Sequence, residues 1–151
     1  SDAGEQRDIH PKDKKVVGER LALLARGHVY GEDLLCDPPT AEKLRRDGNR
    51  AEITFANAEG GLTVKGDRVE ALHIYPAQKT GGEKDASEKS ENEPGRRTEI
   101  PFTADAEGEK LVIRLPEGTG RVSIEFARTR WYLVNLYNQA GIPAIPFEFT
   151  C

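Results

Sequence analysis

Apolar residues that recur every three or four positions can cover one face of a helix, whereas residues that alternate can cover one face of a sheet. Neither pattern can do the work of the other. This chain switches once between them. Val16, Val17, Leu21, Leu24, Ala25 and Val29 form a single helical stripe. From residue 51 the spacing becomes two, in Ile53 and Phe55, in Leu72 and Ile74, in Leu111, Ile113 and Leu115, and in Val122, Ile124 and Phe126. The helix precedes the strands and does not alternate with them, which argues against a parallel sheet in the later region. Gly60-Gly61, Gly66-Asp67 and Glu117-Gly118 supply turns. Short strands joined by Gly-rich turns point to a small antiparallel β-sandwich.

The boundaries follow from local chemistry. Asp13 is placed to cap the helix and Gly31 to stop it. Gly27 is expected to fray the last turn. Gly18 costs about 1 kcal/mol against Ala and is expected where a neighbouring backbone comes close. Residues 32–50 read as a linker, because Pro38-Pro39 forbids continued helix. Lys79 to Arg97 holds five basic and five acidic residues and almost nothing apolar, the composition of a disordered insertion between strands. Pro143 and Pro146 favour an extended strap over a ladder strand at the end, pinned by Phe147 and Phe149.

Composition removes several classes of function. The 151 residues suit one domain, or a small domain with an appendage. Lys and Arg total 22 against 26 Asp and Glu, a net charge of −4, which is the wrong balance for a generally basic nucleic-acid binder. No apolar run approaches the roughly 20 residues of a membrane span. Nucleic acid and membrane are therefore not expected partners. The two cysteines, Cys36 and Cys151, are too few for a disulfide-dense scaffold or a four-cysteine zinc site. A bridge between them is left open by the sequence. His28 lies late in the helix and His73 on a strand, and neither has a second His or Cys at ligand spacing, so no metal or cofactor is expected. Trp131 and Tyr132, beside Arg128 and Arg130, suit stacking on a sugar ring, although packing is the commoner use of such a pair.

Asp8-Ile9-His10-Pro11 is the stretch that suggests chemistry. A carboxylate two residues from a histidine, on a loop leading into a helix, suits a general base and the group that orients it. The spacing alone is weak, and a solvated loop histidine is its ordinary alternative. The context adds specificity. Asp8-Ile9-His10-Pro11-Lys12-Asp13-Lys14-Lys15, then Val17-Gly18-Glu19-Arg20-Leu21-Ala22 and Val29-Tyr30-Gly31, resembles the last block of the sialate O-acetylesterase family, within the SGNH hydrolases. Asn135-Leu136-Tyr137-Asn138, Gly141-Ile142-Pro143-Ala144 and Pro146-Phe147, about 125 residues further on, resemble that family's closing segment. Ala51 to Leu62 is similar to the first strand and turn of its C-terminal β domain.

The resemblance implies an α+β fragment. Residues 1–31 would be the last catalytic loop and final helix of an SGNH α/β hydrolase domain, followed by the linker at 32–50 and a β-sandwich at 51–151. It implies His10 as the catalytic histidine and Asp8 as the acid that orients it. The family's usual acid lies three residues before the histidine, where this chain has Arg7, and an aromatic is expected after Ala127 where it has Arg128. A serine nucleophile is missing. Ser1, Ser87, Ser90 and Ser123 are the only serines, and none lies in a Gly-containing elbow after a strand. With no Met and a start at Ser1-Asp2-Ala3-Gly4, the expectation is the C-terminal part of a serine carbohydrate esterase. Its partners would be a preceding segment that carries the nucleophile and an O-acetylated carbohydrate such as an acetylated sialic acid. The family implies a secreted, periplasmic or lysosomal setting. A non-catalytic accessory module, for docking or carbohydrate binding, is the alternative.

Overall fold

The computed structural model describes residues 2–8, 10, 12–77, 97–129 and 131–151. Helix α1 runs Lys14–His28, and the strands are β1 Thr40–Asp47, β2 Arg50–Ala56, β3 Thr63–Val64, β4 Leu72–Pro76, β5 Thr103–Glu107, β6 Lys110–Arg114, β7 Val122–Phe126, β8 Leu136–Tyr137 and β9 Phe147–Thr150. Every strand pairing is antiparallel. One sheet has the order β1-β2-β6-β5, a second β4-β7-β9, and β3 pairs with β8. The class is therefore α+β, with one helix ahead of antiparallel sheets among the described residues.

Alternation in the sequence becomes burial in the structure. Ala51, Ile53 and Phe55 of β2 are buried, as are Leu72 and Ile74 of β4 and Val122, Ile124 and Phe126 of β7. With Leu111 and Ile113 of β6 they form one hydrophobic core shared by the two larger sheets. Strand β6 departs from strict alternation because Val112 is buried too, on the opposite face. Its cross-strand partners there are Glu52 and Asp105. Around it Arg50 pairs with Glu52 and Glu107, Lys110 with Glu52, and Arg114 with Asp105 and Glu107. The aliphatic stems of these side chains form an apolar lid whose charged heads stay in water.

Three sequence expectations are corrected. The linker read at 32–50 ends early, since residues 40–47 are β1, hydrogen-bonded to β2 across the Gly48 turn. Charged Lys43, Arg45 and Arg46 and a register shift between Ala41 and Lys43 hide the strand pattern. The terminal strap is in part a ladder strand, because β9 pairs with β7 from Phe126↔Phe147 to Ser123↔Thr150. Pro146 lies just ahead of this ladder, so no paired N–H is lost. Phe147 does pin the segment, with its ring stacked 5.0 Å from Phe126 and edge-on 5.6 Å from Phe55. The roles of two glycines are exchanged. Gly18 has open space around it, whereas a Cβ on Gly27 would overlap the Sγ of Cys36. Close approach is thus at Gly27, inside a regular turn of helix.

Cys36 and Cys151 are both free thiols. Cys36 packs under the end of α1, while Cys151 hydrogen-bonds by its backbone to Val122. The insertion read at 79–97 falls outside the described residues except for Arg97, which pairs with Glu125 and lies 4.0 Å over the Tyr75 ring. Among the described residues no helix is long and apolar enough to cross a membrane.

Candidate active site

The loop ahead of α1 carries Asp8 and His10. Asp13 ends this loop and starts the helix, its carboxylate accepting from the N–H groups of Lys15 and Val16 at 3.1 and 3.3 Å. Upstream, Asp8 Oδ1 accepts from the backbone N–H of His10 at 2.8 Å, a tight turn that puts carboxylate and imidazole on one projecting loop. Glu5 and Asp8 form an isolated bridge across it, and Lys12 reaches Glu5 at 3.2 Å. Both Asp8 and His10 are exposed. Asp8 thus orients the backbone of His10, and among the described contacts no bond joins the carboxylate to the imidazole.

The position of this loop is set from far along the chain. Asp2 accepts a two-pronged pair of bonds from Arg20, at 2.6 and 2.7 Å, and a third from the Tyr137 hydroxyl at 3.0 Å. Arg20 also donates to the Gly141 carbonyl. Burial alone would raise the Asp2 carboxyl, but the bonds from Arg20 and Tyr137 outweigh it and hold it below its ordinary value. Burial, together with the neighbouring Asp2 carboxylate, pushes the Tyr137 hydroxyl up to about 12. The loop and helix are thereby fixed to β8.

The Asn135-Leu136-Tyr137-Asn138 motif proves to be a junction. Asn135 donates to the carbonyls of Lys65 and Arg68 and accepts from the N–H of Glu70, which closes the 65–70 turn. Asn138, only 2% exposed, donates to the carbonyls of Asp37 and Asn57 and accepts from Ile142. Its polar atoms are all used, as a buried amide requires. The motif's four residues hold the helix, the connector and the sheets in one arrangement, a role that its polar–apolar composition did not disclose.

The remaining sequence candidates separate. Ser123 lies in β7 and donates to Glu125, so it is not an elbow nucleophile. Ser1, Ser87, Ser90 and Arg130 lie outside the described residues. Trp131 is half-buried beside Gly4, Tyr132 packs on the core, and Arg128 pairs with Glu148 at 3.2 Å. Packing is the use that the structure makes of this aromatic pair. His73 stacks on Tyr75 and bonds Glu99 at 3.0 Å. His28 differs from its sequence reading, because the turn after α1 brings Cys36 and Asp37 to it. Burial and the Asp37 carboxylate hold the Cys36 thiol above its ordinary value.

No protein-family model matches this chain, nor does any curated protein. Its fold is matched by the crystal structure of a novel carbohydrate acetylesterase from Xanthomonas citri. The superposition covers 98% of this chain and 31% of that one, with a TM-score of 0.68 and 26% sequence identity. The chain thus spans less than two thirds of that enzyme's length, and its relation is to a carbohydrate esterase.

Proposed function

We propose that this chain is the C-terminal part of a serine carbohydrate esterase that removes O-acetyl groups from sugars, with sialic acid as the substrate the sequence resemblance favours. The observation that carries this reading is the match of nearly the whole chain to a portion of a carbohydrate acetylesterase. In this reading His10 takes the proton from a serine hydroxyl on the preceding segment as that oxygen attacks the acetyl carbonyl. The imidazolium then returns the proton to the departing sugar oxygen, and a water molecule repeats the cycle to release acetate. Donors aimed at the developing oxyanion come from the same preceding segment. Asp8 contributes by fixing the His10 backbone through the 2.8 Å bond.

The exposure of His10 fits this division of labour, because a base waiting for a nucleophile from elsewhere must face outward. So does the helix, whose Val17 and Leu21 are exposed, with Val29 and Tyr30 just beyond its end. The test is His10→Ala in the protein that carries the preceding segment, assayed on an acetylated sugar. Turnover should fall at least about 10³-fold with the fold intact. Turnover within a few-fold of the parent would remove His10 from the mechanism. It would leave docking as the role of these 151 residues.

A further inference from the structure

Three side chains of different chemistry meet where α1 gives way to the connector. The donor atoms of His28, Cys36 and Asp37 all lie within 4.8 Å of one another. His28 Nε2 and Asp37 Oδ1 are 2.9 Å apart, and Cys36 Sγ is 3.9 Å from Asp37 Oδ2. We infer that these residues form a binding site for a divalent zinc ion, completed by water, at the seam between the helix and the sheets.

The donor set selects the metal. Imidazole nitrogen, thiolate and carboxylate together suit zinc, whereas calcium and magnesium ask for oxygen alone. Bond lengths of about 2.0–2.1 Å to nitrogen, 2.0–2.2 Å to oxygen and 2.3 Å to sulfur place tetrahedral ligands roughly 3.4–3.6 Å apart. The two short contacts run to different oxygens of Asp37, and donors spread over up to 4.8 Å must draw in by as much as roughly 1.2–1.4 Å to reach that value, a closure assigned to rotation of the solvent-reaching His28 and Asp37 side chains.

The surroundings are built to hold the ligands. Gly27 lacks the Cβ that would displace Cys36 Sγ, which lets the thiol sit against the last turn of α1. Cys36 is 6% exposed, while His28 and Asp37 reach solvent, so an ion can enter from one side. The Asp37 carbonyl is held by buried Asn138, and the next carbonyl, that of Pro38, accepts from Asn57 and Thr40. The ligand-bearing connector is thereby fixed on the sheets, and His28 is fixed on the helix. A bound ion would tie the two together, whatever the protein's reaction.

The test is titration of the purified protein with Co²⁺ as a spectroscopic stand-in, followed by displacement with Zn²⁺. One equivalent should produce a thiolate-to-cobalt charge-transfer band and the intense visible bands of tetrahedral cobalt, both abolished by zinc. Cys36→Ser should remove the charge-transfer band and Cys151→Ser should keep it. His28→Ala changes an exposed side chain and leaves the fold intact, so it guards against misfolding of the cysteine variant. It should weaken binding beyond the 10–100-fold that loss of an outer-shell partner costs. Absence of the band in the parent protein, or its survival in Cys36→Ser, would overturn the site. Unchanged affinity in both His28→Ala and Asp37→Asn would do so as well.

Discussion

Helix α1 and strand β7 each present a regular apolar stripe; the strand's is enclosed, whereas the helix's is at most half-covered, at Val16, Leu24 and Ala25. Val122, Ile124 and Phe126 are fully enclosed between sheets. No residue of α1 is buried, and Leu21 stands 62% exposed on the stripe that periodicity assigns to a core. The strand is stabilised by area removed from water. The helix instead depends on point attachments, namely its Asp13 cap, the Arg20 clasp on Asp2 and Gly141, and the seat of Gly27 on Cys36. An amphipathic pattern therefore reports which face a helix is made to bury, without reporting that the burying surface lies in the same stretch of chain.

Substitutions should separate the two regions sharply. Phe126→Ala should cost about 3–5 kcal/mol in urea denaturation, since the ring is fully buried and stacked on Phe147. Gly27→Ala should destabilise by about 1 kcal/mol, because crowding against Cys36 exceeds the helix-propensity gain. Faster amide exchange over residues 24–30 would show it, and unchanged exchange would break the assignment of Gly27 as the seat. Tyr137→Phe removes a hydrogen bond to Asp2 and should cost about 1 kcal/mol near neutrality.

The same substitution has a pH signature. The Tyr137 hydroxyl is raised from 10.0 to about 12 on folding, so its contribution is present below pH 10 and is lost as pH rises through that interval. Asp2 is lowered from 3.8, so its contribution is present above that value and fades as pH falls through the depressed one. The phenylalanine variant should lose the alkaline decline over this interval and keep part of the acid one. Equal alkaline profiles would refute the coupling. Gly18→Ala, in open space, should stabilise by about 1 kcal/mol, opposite in sign to Gly27→Ala. Leu21→Ala should stay within about 0.5 kcal/mol in this chain, and a larger loss would mean that the exposed stripe is covered after all.

How legible each part was follows the same division. Strands β2, β4, β6 and β7 could be read because each carries large apolar residues two apart on its inner face. Strand β5, Thr103–Glu107, lies at a sheet edge with only Ala104 and Ala106 on its inner side, too small to signal burial. Strand β1 is masked by its charges and its register shift. The site divides likewise. The candidates His10 and Asp8 stand out through a short motif and share one loop. The anchors that place the loop, Tyr137 and Gly141, are distant in sequence and carry no pattern that points back to Asp2. Cys36 and His28 sit at a spacing that matches no regular element, so only the turn after α1 reveals their proximity.

The clasp of Asp2 on Tyr137 spans 135 positions, and that of Arg20 on Gly141 spans 121. Contacts so distant in sequence form late, after the cost of closing the intervening chain has been met. During synthesis, then, the His10 loop emerges before β8 and is clasped to it only afterwards. Helix α1 can wind as soon as Asp13 caps it, but the clasp that holds it and the loop to β8 waits for Tyr137 and Gly141. A truncated product that stops short of Tyr137 would carry the histidine without the clasp that joins its loop to the sheets.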